Sequence, residues 1–170
     1  RHQLVDKLQA NKKKIELIYE GVDPKIFNFE LSILKQNQIL KKNKLRKKKY
    51  ILFIGTIQPR KNLQRLIQAF AILKSQIPNF KLKLVLVGKL GCNYDDVLLA
   101  PKQFVIVEQI VFLGYTSNAE RDILLRNALL YVQPSITEGF GLPLLEAMAA
   151  GVPVVSSNGG ALKEIINIQY

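Results

Sequence analysis

The chain holds one cysteine, one histidine and no long apolar run, and each shortage excludes something. A single cysteine, Cys92, rules out an internal disulfide and fits a reducing compartment. The only histidine, His2, stands at the very start, so histidine acid–base chemistry and multi-histidine metal sites are not expected in this chain. Nowhere do roughly 20 continuous apolar residues occur, the length a membrane-spanning helix needs. The most apolar stretch, Gly141 to Val155, is broken by Glu146 and two prolines and reads as buried structure. No secretory signal is visible, and the chain opens at Arg1 rather than Met, so an upstream N-terminus is expected and targeting is unread.

What is present is a normal apolar share, 48%, on 170 residues: enough for one domain with a substantial core, or one domain plus pieces of another. The net charge of +12 is unevenly spread. Residues 1–50 carry 14 Lys and Arg against 5 Asp and Glu, while residues 51–170 carry 11 against 8. The densest run is Lys41-Lys42-Asn43-Lys44-Leu45-Arg46-Lys47-Lys48-Lys49. Such a run attracts anionic lipid or nucleic acid, but no aromatic residue interleaves with it, which argues against single-strand binding. A solvated, lysine-rich linker is the reading preferred.

Ile15 to Tyr19 reads as a short strand, followed by a turn at Gly21-Val22-Asp23-Pro24. From there to Lys49 no period emerges, and a linker with some helix is expected. Beyond it, apolar runs and helical periods alternate. Strands are expected at Tyr50–Ile54, Leu82–Val87, Ile110–Leu113, Leu129–Val132 and Val152–Val155. Helices are expected after Asn62, read as an N-cap, with a stripe of Leu63, Leu66, Ile67, Phe70 and Leu73; over 118–128; from Pro143 to Ala150; and from Ala161 to Ile166. Strands without polar alternation are buried on both faces, which implies a parallel sheet. The fold class is α/β, a Rossmann-like doubly wound parallel sheet, with ligands outside the carboxyl ends of the strands. Those ends are Gly55, Gly88, Gly114, Pro134 and Ser156.

The most informative segment runs Pro134-Ser135-Ile136-Thr137-Glu138-Gly139-Phe140-Gly141-Leu142-Pro143-Leu144-Leu145-Glu146. Pro143 suits the first position of a helix. Gly139 and Gly141 let backbone approach a ligand. Free N–H groups around Phe140 to Leu142, with the helix dipole, make an anion site suited to phosphate. Glu138 and Glu146 flank it, placed to accept hydrogen bonds from sugar hydroxyls. Taken alone, a glutamate in a first helical turn gains about 0.3–1 kcal/mol from the dipole with no ligand at all, and Gly-x-Gly is a common turn. The segment as a whole points to a nucleotide-sugar.

This segment resembles the signature of the retaining glycosyltransferases of family 4, which have the GT-B fold of two facing Rossmann-like domains. Seven residues separate Glu138 from Glu146, the family's hallmark spacing. The likeness continues through Glu146-Ala147-Met148-Ala149-Ala150-Gly151-Val152-Pro153-Val154-Val155 and back to Gly55-Thr56-Ile57-Gln58-Pro59-Arg60-Lys61-Asn62. It implies that Glu138 contacts donor-sugar hydroxyls, Glu146 contacts ribose hydroxyls, and the backbone amides at Phe140, Gly141 and Leu142 hold the diphosphate, with Gly139 also at the donor. Gly55 and Thr56 would border the donor, and Lys61 would neutralise the leaving nucleoside diphosphate. Many members carry an arginine where this chain has Thr56; Arg60 is the candidate for that second positive charge. Gly114 and Tyr115 would border the nucleobase, or form an ordinary strand-end turn. Gly88-Lys89-Leu90-Gly91 and Arg60-Lys61-Asn62 resemble a mannosyltransferase-rich branch, which favours GDP-mannose over UDP-glucose.

On this resemblance residues 1–24 are a remnant of an N-terminal acceptor domain and hinge, 25–49 a basic linker, and 50–170 the donor domain, cut short at its C-terminal end. The parent would transfer a hexose with retention to a glycan or lipid-linked acceptor, in polysaccharide biosynthesis; the chain alone would transfer nothing. No cofactor and no metal are expected, no nucleic acid, a cytoplasmic location, and at most a peripheral contact with an anionic membrane at its inner face. Three other readings compete. A dinucleotide oxidoreductase fails because Gly55-Thr56-Ile57-Gln58-Pro59-Arg60 lacks the second and third fingerprint glycines. A basic binding module would use Lys41 to Lys49, and an epimerase of the same fold lacks a reason for the Glu138–Glu146 phrase.

Overall fold

The computed structural model describes residues 2–26, 32–77 and 79–167. In chain order these form α1 (His2–Leu8), α2 (Ile33–Lys42), β1 (Tyr50–Ile54), α3 (Leu63–Gln76), β2 (Lys83–Val87), α4 (Asp95–Gln103), β3 (Ile110–Gly114), α5 (Asn118–Asn127), β4 (Leu130–Gln133), α6 (Leu142–Ala149), β5 (Val154–Ser156) and α7 (Leu162–Ile166). The five strands make one sheet in the order β3-β2-β1-β4-β5, with every pairing parallel. The order reverses between β1 and β4, so the crevice at their carboxyl ends is the topological switch point.

The apolar runs fill both faces of this sheet. Tyr50, Leu52 and Ile54 of β1 join the cluster formed with α2, α5, α6 and α7. Ile51 and Phe53, pointing the other way, join the cluster formed with α3 and α4. Strand side chains alternate between faces, so a strand with helices on both sides has no polar position to spare. Leu63, Ile67 and Phe70 of the expected α3 stripe are buried, while Leu66 and Leu73 are half-buried at its margin.

Three expectations are corrected, and one helix is added. Asn62 stands at the N-cap of α3 in the left-handed region (φ 57°) but makes no capping bond; its Nδ2 donates instead to the Pro134 carbonyl at 3.2 Å. Helix α4 was unread, because Pro101 sits inside it and its residues are mixed in character. Ile15–Tyr19, expected as a strand, joins no ladder among the described residues; Tyr19 lies against Phe140 and donates to Glu164 of α7 instead. The basic run is not a solvated tether throughout. Leu45 is buried, its N–H donates to the Leu40 carbonyl at 2.8 Å, and Lys48 Nζ donates to the Arg126 and Ala128 carbonyls at 3.1 and 2.8 Å.

Candidate functional site

Two loops meet at the switch point. After β1 the chain passes Gly55 and Thr56, turns through a 3-10 turn at Pro59–Lys61, and enters α3. After β4 it runs from Pro134 to Gly141 and enters α6. The Ile136 N–H donates to the Arg60 carbonyl at 2.8 Å, and the Asn62 amide donates to Pro134, so the loops are tied side by side.

That tie brings Lys61 and Arg60 onto Glu138. Lys61 Nζ donates to Glu138 Oε1, and Arg60 Nη1 donates to Oε2 at 2.9 Å. Gln133 Nε2 and Ser135 Oγ also donate to Oε1, at 2.6 and 2.7 Å. The Tyr131 hydroxyl donates to Gln133 Oε1, and Gln133 Nε2 lies 3.0 Å from Ser135 Oγ. Tyr131, Gln133 and Ser135 are at most 1% exposed, so a satisfied polar chain runs from the core up to the carboxylate. Buried polar groups persist only when every member is bonded. Burial pushes the Glu138 carboxyl up, but bonds from Lys61, Ser135 and Arg60 and the Lys61 charge outweigh it and hold it below the ordinary value.

Glu146 sits differently. Helix α6 starts at Leu142, one residue ahead of expectation, with Pro143 second and Glu146 fifth, so the helix dipole alone no longer accounts for the glutamate. Its Oε1 receives Arg121 Nη2 from α5 at 3.2 Å, while its buried Oε2 has no partner among the described residues. Burial pushes this carboxyl above the ordinary value; Arg121 pulls it down and Asp122 adds to the rise. Burial raises the Tyr131 hydroxyl most; its bond to the Ile54 carbonyl and the Arg121 charge lower it, while Glu138 and Glu146 push it further up.

The backbone between them is shaped by glycine. Gly141, the N-cap of α6, has φ 104°, and a Cβ there would fall 2.7 Å from Leu162 Cδ2. Gly160, at φ +63°, lets α7 approach so closely that a Cβ would stand 2.3 Å from the Glu138 carbonyl oxygen. The N–H groups of Gly139, Phe140, Gly141 and Leu142 donate to no backbone carbonyl among the described residues. They stand at the N-terminus of α6, where free N–H groups and the helix dipole favour negative charge.

Gly55 lies under Lys61, whose Cε is 3.7 Å from where a Cβ would stand, and Thr56 packs by Gly91. Gly114 ends β3 and Tyr115 follows it, on the same edge but two strands from β1; no described hydrogen bond or ion pair ties them to the cluster, and Tyr115 is 81% exposed. Sequence reading missed Gln133, Ser135 and Arg121. A polar residue closing the apolar strand Leu130-Tyr131-Val132 was the signal for Gln133. Nothing local marked Arg121, which reaches Glu146 across 25 positions. No three His, Cys, Asp or Glu side chains converge among the described residues, and no described helix is long and apolar enough to cross a membrane.

A five-stranded parallel sheet whose order reverses between β1 and β4, with helices on both faces, defines a Rossmann-like α/β domain. The chain matches the family described as Glycosyl transferases group 1 over residues 35–169, and it belongs to that family. It is 40% identical over 134 residues to the O-antigen chain mannosyltransferase B of Escherichia coli, covering 75% of this chain and 33% of that one. The chain therefore spans about a third of that relative's length. Its fold is that of a Rickettsia africae glycosyltransferase, with a TM-score of 0.86 at 22% identity over 98% of this chain and 44% of that one. Anabaena HepE, solved with UDP and glucose, superposes with a TM-score of 0.79 at 21% identity, over 96% of this chain and 43% of its own.

Proposed function

We propose that residues 50–170 form the donor-binding domain of a two-domain glycosyltransferase that moves a hexose from a nucleoside-diphosphate sugar, with retention, to a glycan or lipid-linked acceptor. The observation that carries this reading is the convergence of Lys61 and Arg60 on Glu138, in the loop that leads to the open amides of the α6 N-terminus, with Glu146 further along that helix. The diphosphate sits on the amides of Gly139 to Leu142. Glu138, held ionised by four donors, accepts from the donor-sugar hydroxyls, and Glu146 accepts from the ribose. When the bond from the anomeric carbon to the phosphate oxygen breaks, its electron pair leaves on the nucleoside diphosphate. Lys61, Arg60 and the helix dipole stabilise that charge, the largest contribution expected of such a site. Likeness to a mannosyltransferase supports GDP-mannose, and the UDP-bound neighbour keeps UDP-glucose as the second donor.

The test is ligand-observed NMR of the chain with GDP-mannose and UDP-glucose, against Glu146→Ala. One donor is expected to bind and to lose about tenfold in affinity in the variant, the loss of a charged hydrogen bond. Binding that ignores the substitution would remove Glu146 from the site.

A further inference from the structure

We infer that Arg121 is a donor-binding residue which, side by side with Glu146, reads the two neighbouring hydroxyls of the ribose; this rests on the placement of the ribose at Glu146. Glu146 offers only acceptors, and a guanidinium offers only donors. A hydroxyl needs both. A carboxylate alone takes the hydroxyl hydrogens and leaves the oxygen lone pairs unanswered, whereas an adjoining carboxylate and guanidinium answer both.

The geometry supplies that pair. Arg121 Nη2 is 3.2 Å from Glu146 Oε1, so donor and acceptor stand one hydrogen bond apart. Asp122 grips the other flank of the guanidinium, through Nε at 3.4 Å and Nη2 at 3.3 Å. Nη1 donates to nothing among the described residues, and the side chain keeps 30% of its exposure. A cation held at two edges with its third edge turned loose is oriented rather than merely neutralising. Glu146 complements it: Oε2 is buried and unpartnered while Oε1 is shared with Arg121. Among the described residues Glu146 is ion-paired with Arg121 alone, while Asp122 from the same helix and Tyr131 from β4 also act on it or feel it. An ion pair serving only to steady the fold would not distinguish one sugar hydroxyl from none.

The deciding experiment titrates the chain, Arg121→Met and Arg121→Lys with UDP, GDP and their 2′-deoxy forms, using whichever base binds more tightly. Wild type is expected to favour the ribonucleotide by about tenfold. In R121M the ribonucleotide affinity falls by about tenfold and the preference drops towards unity. R121K keeps the charge but loses the fork, so it recovers part of the affinity with a preference at least about threefold below wild type. A wild-type preference in folded R121M overturns the inference; should R121M not fold, a wild-type preference in R121K does the same. If Glu146→Ala weakens the nucleotide while R121M keeps the full preference, only the role of Arg121 falls. If Glu146→Ala changes nothing, the ribose placement itself falls.

Discussion

The two ends of the sheet carry charge in opposite styles. At the carboxyl end the two site glutamates each have a cation from a different element: Glu138 with Lys61 and Arg60, Glu146 with Arg121. At the amino end Lys44, Arg46, Lys49, Lys81 and Lys83 line a hollow of about 390 Å³ with no carboxylate among them. The first arrangement is costly to assemble, because the side chains leave water and must be bonded in return. The second costs little, since exposed like charges are screened within about 8 Å at physiological salt. Charge density alone therefore misdirects: the richest basic run lies at one end, and the organised chemistry at the other.

The largest expected effect follows from breaking the buried pair. Lys61→Met strands a carboxylate whose side chain is 8% exposed, and stability should fall by about 3 kcal/mol, read from chemical denaturation. Arg60, Gln133 and Ser135 still donate to Glu138, which keeps the loss at the lower end of that range. Gly160→Ala comes next, at about 2 kcal/mol or more, because it forces φ +63° on a side chain and drives its Cβ into the Glu138 backbone.

A finer contrast separates the two glutamates. The Glu138 carboxyl is depressed in the fold, so it stabilises above its unfolded value near 4.3 and that contribution is lost as pH falls through the folded value. Glu138→Gln should lower stability at pH 7 and flatten the acid limb of the unfolding curve. The Glu146 carboxyl is raised, so its ionised form weighs against folding at pH 7, and stability gains as pH falls through that raised value. Glu146→Gln should therefore leave stability at pH 7 unchanged or slightly higher while weakening nucleotide binding. A stability loss equal to that of Glu138→Gln would break the contrast.

The smallest effect belongs to the amino end. Replacing Lys44, Arg46 and Lys81 with Gln should shift stability by less than about 0.5 kcal/mol each, less still in high salt, and leave nucleotide affinity alone.

Much of this architecture was legible because burial on both faces leaves unbroken apolar runs: β1 and β2 read off the sequence to within a residue. The start of α6 was legible to within a residue because Gly141 and Pro143 suit a helix entry, Gly141 taking φ 104° at the N-cap. Helix α4 was not, since Pro101 denies it the usual period. Asn62 misled because the residue type that caps helices also tolerates the left-handed region. Arg121 stayed hidden because its meaning exists only once α5 is laid beside α6.

The most direct measurement is amide chemical-shift mapping of the isotope-labelled chain titrated with GDP and UDP. The account expects saturable shifts at Gly139, Phe140, Gly141 and Leu142, with Lys61 and Glu146 following. Shifts confined to Lys44–Lys49 and Lys81–Lys83, or none at millimolar nucleotide, would contradict it.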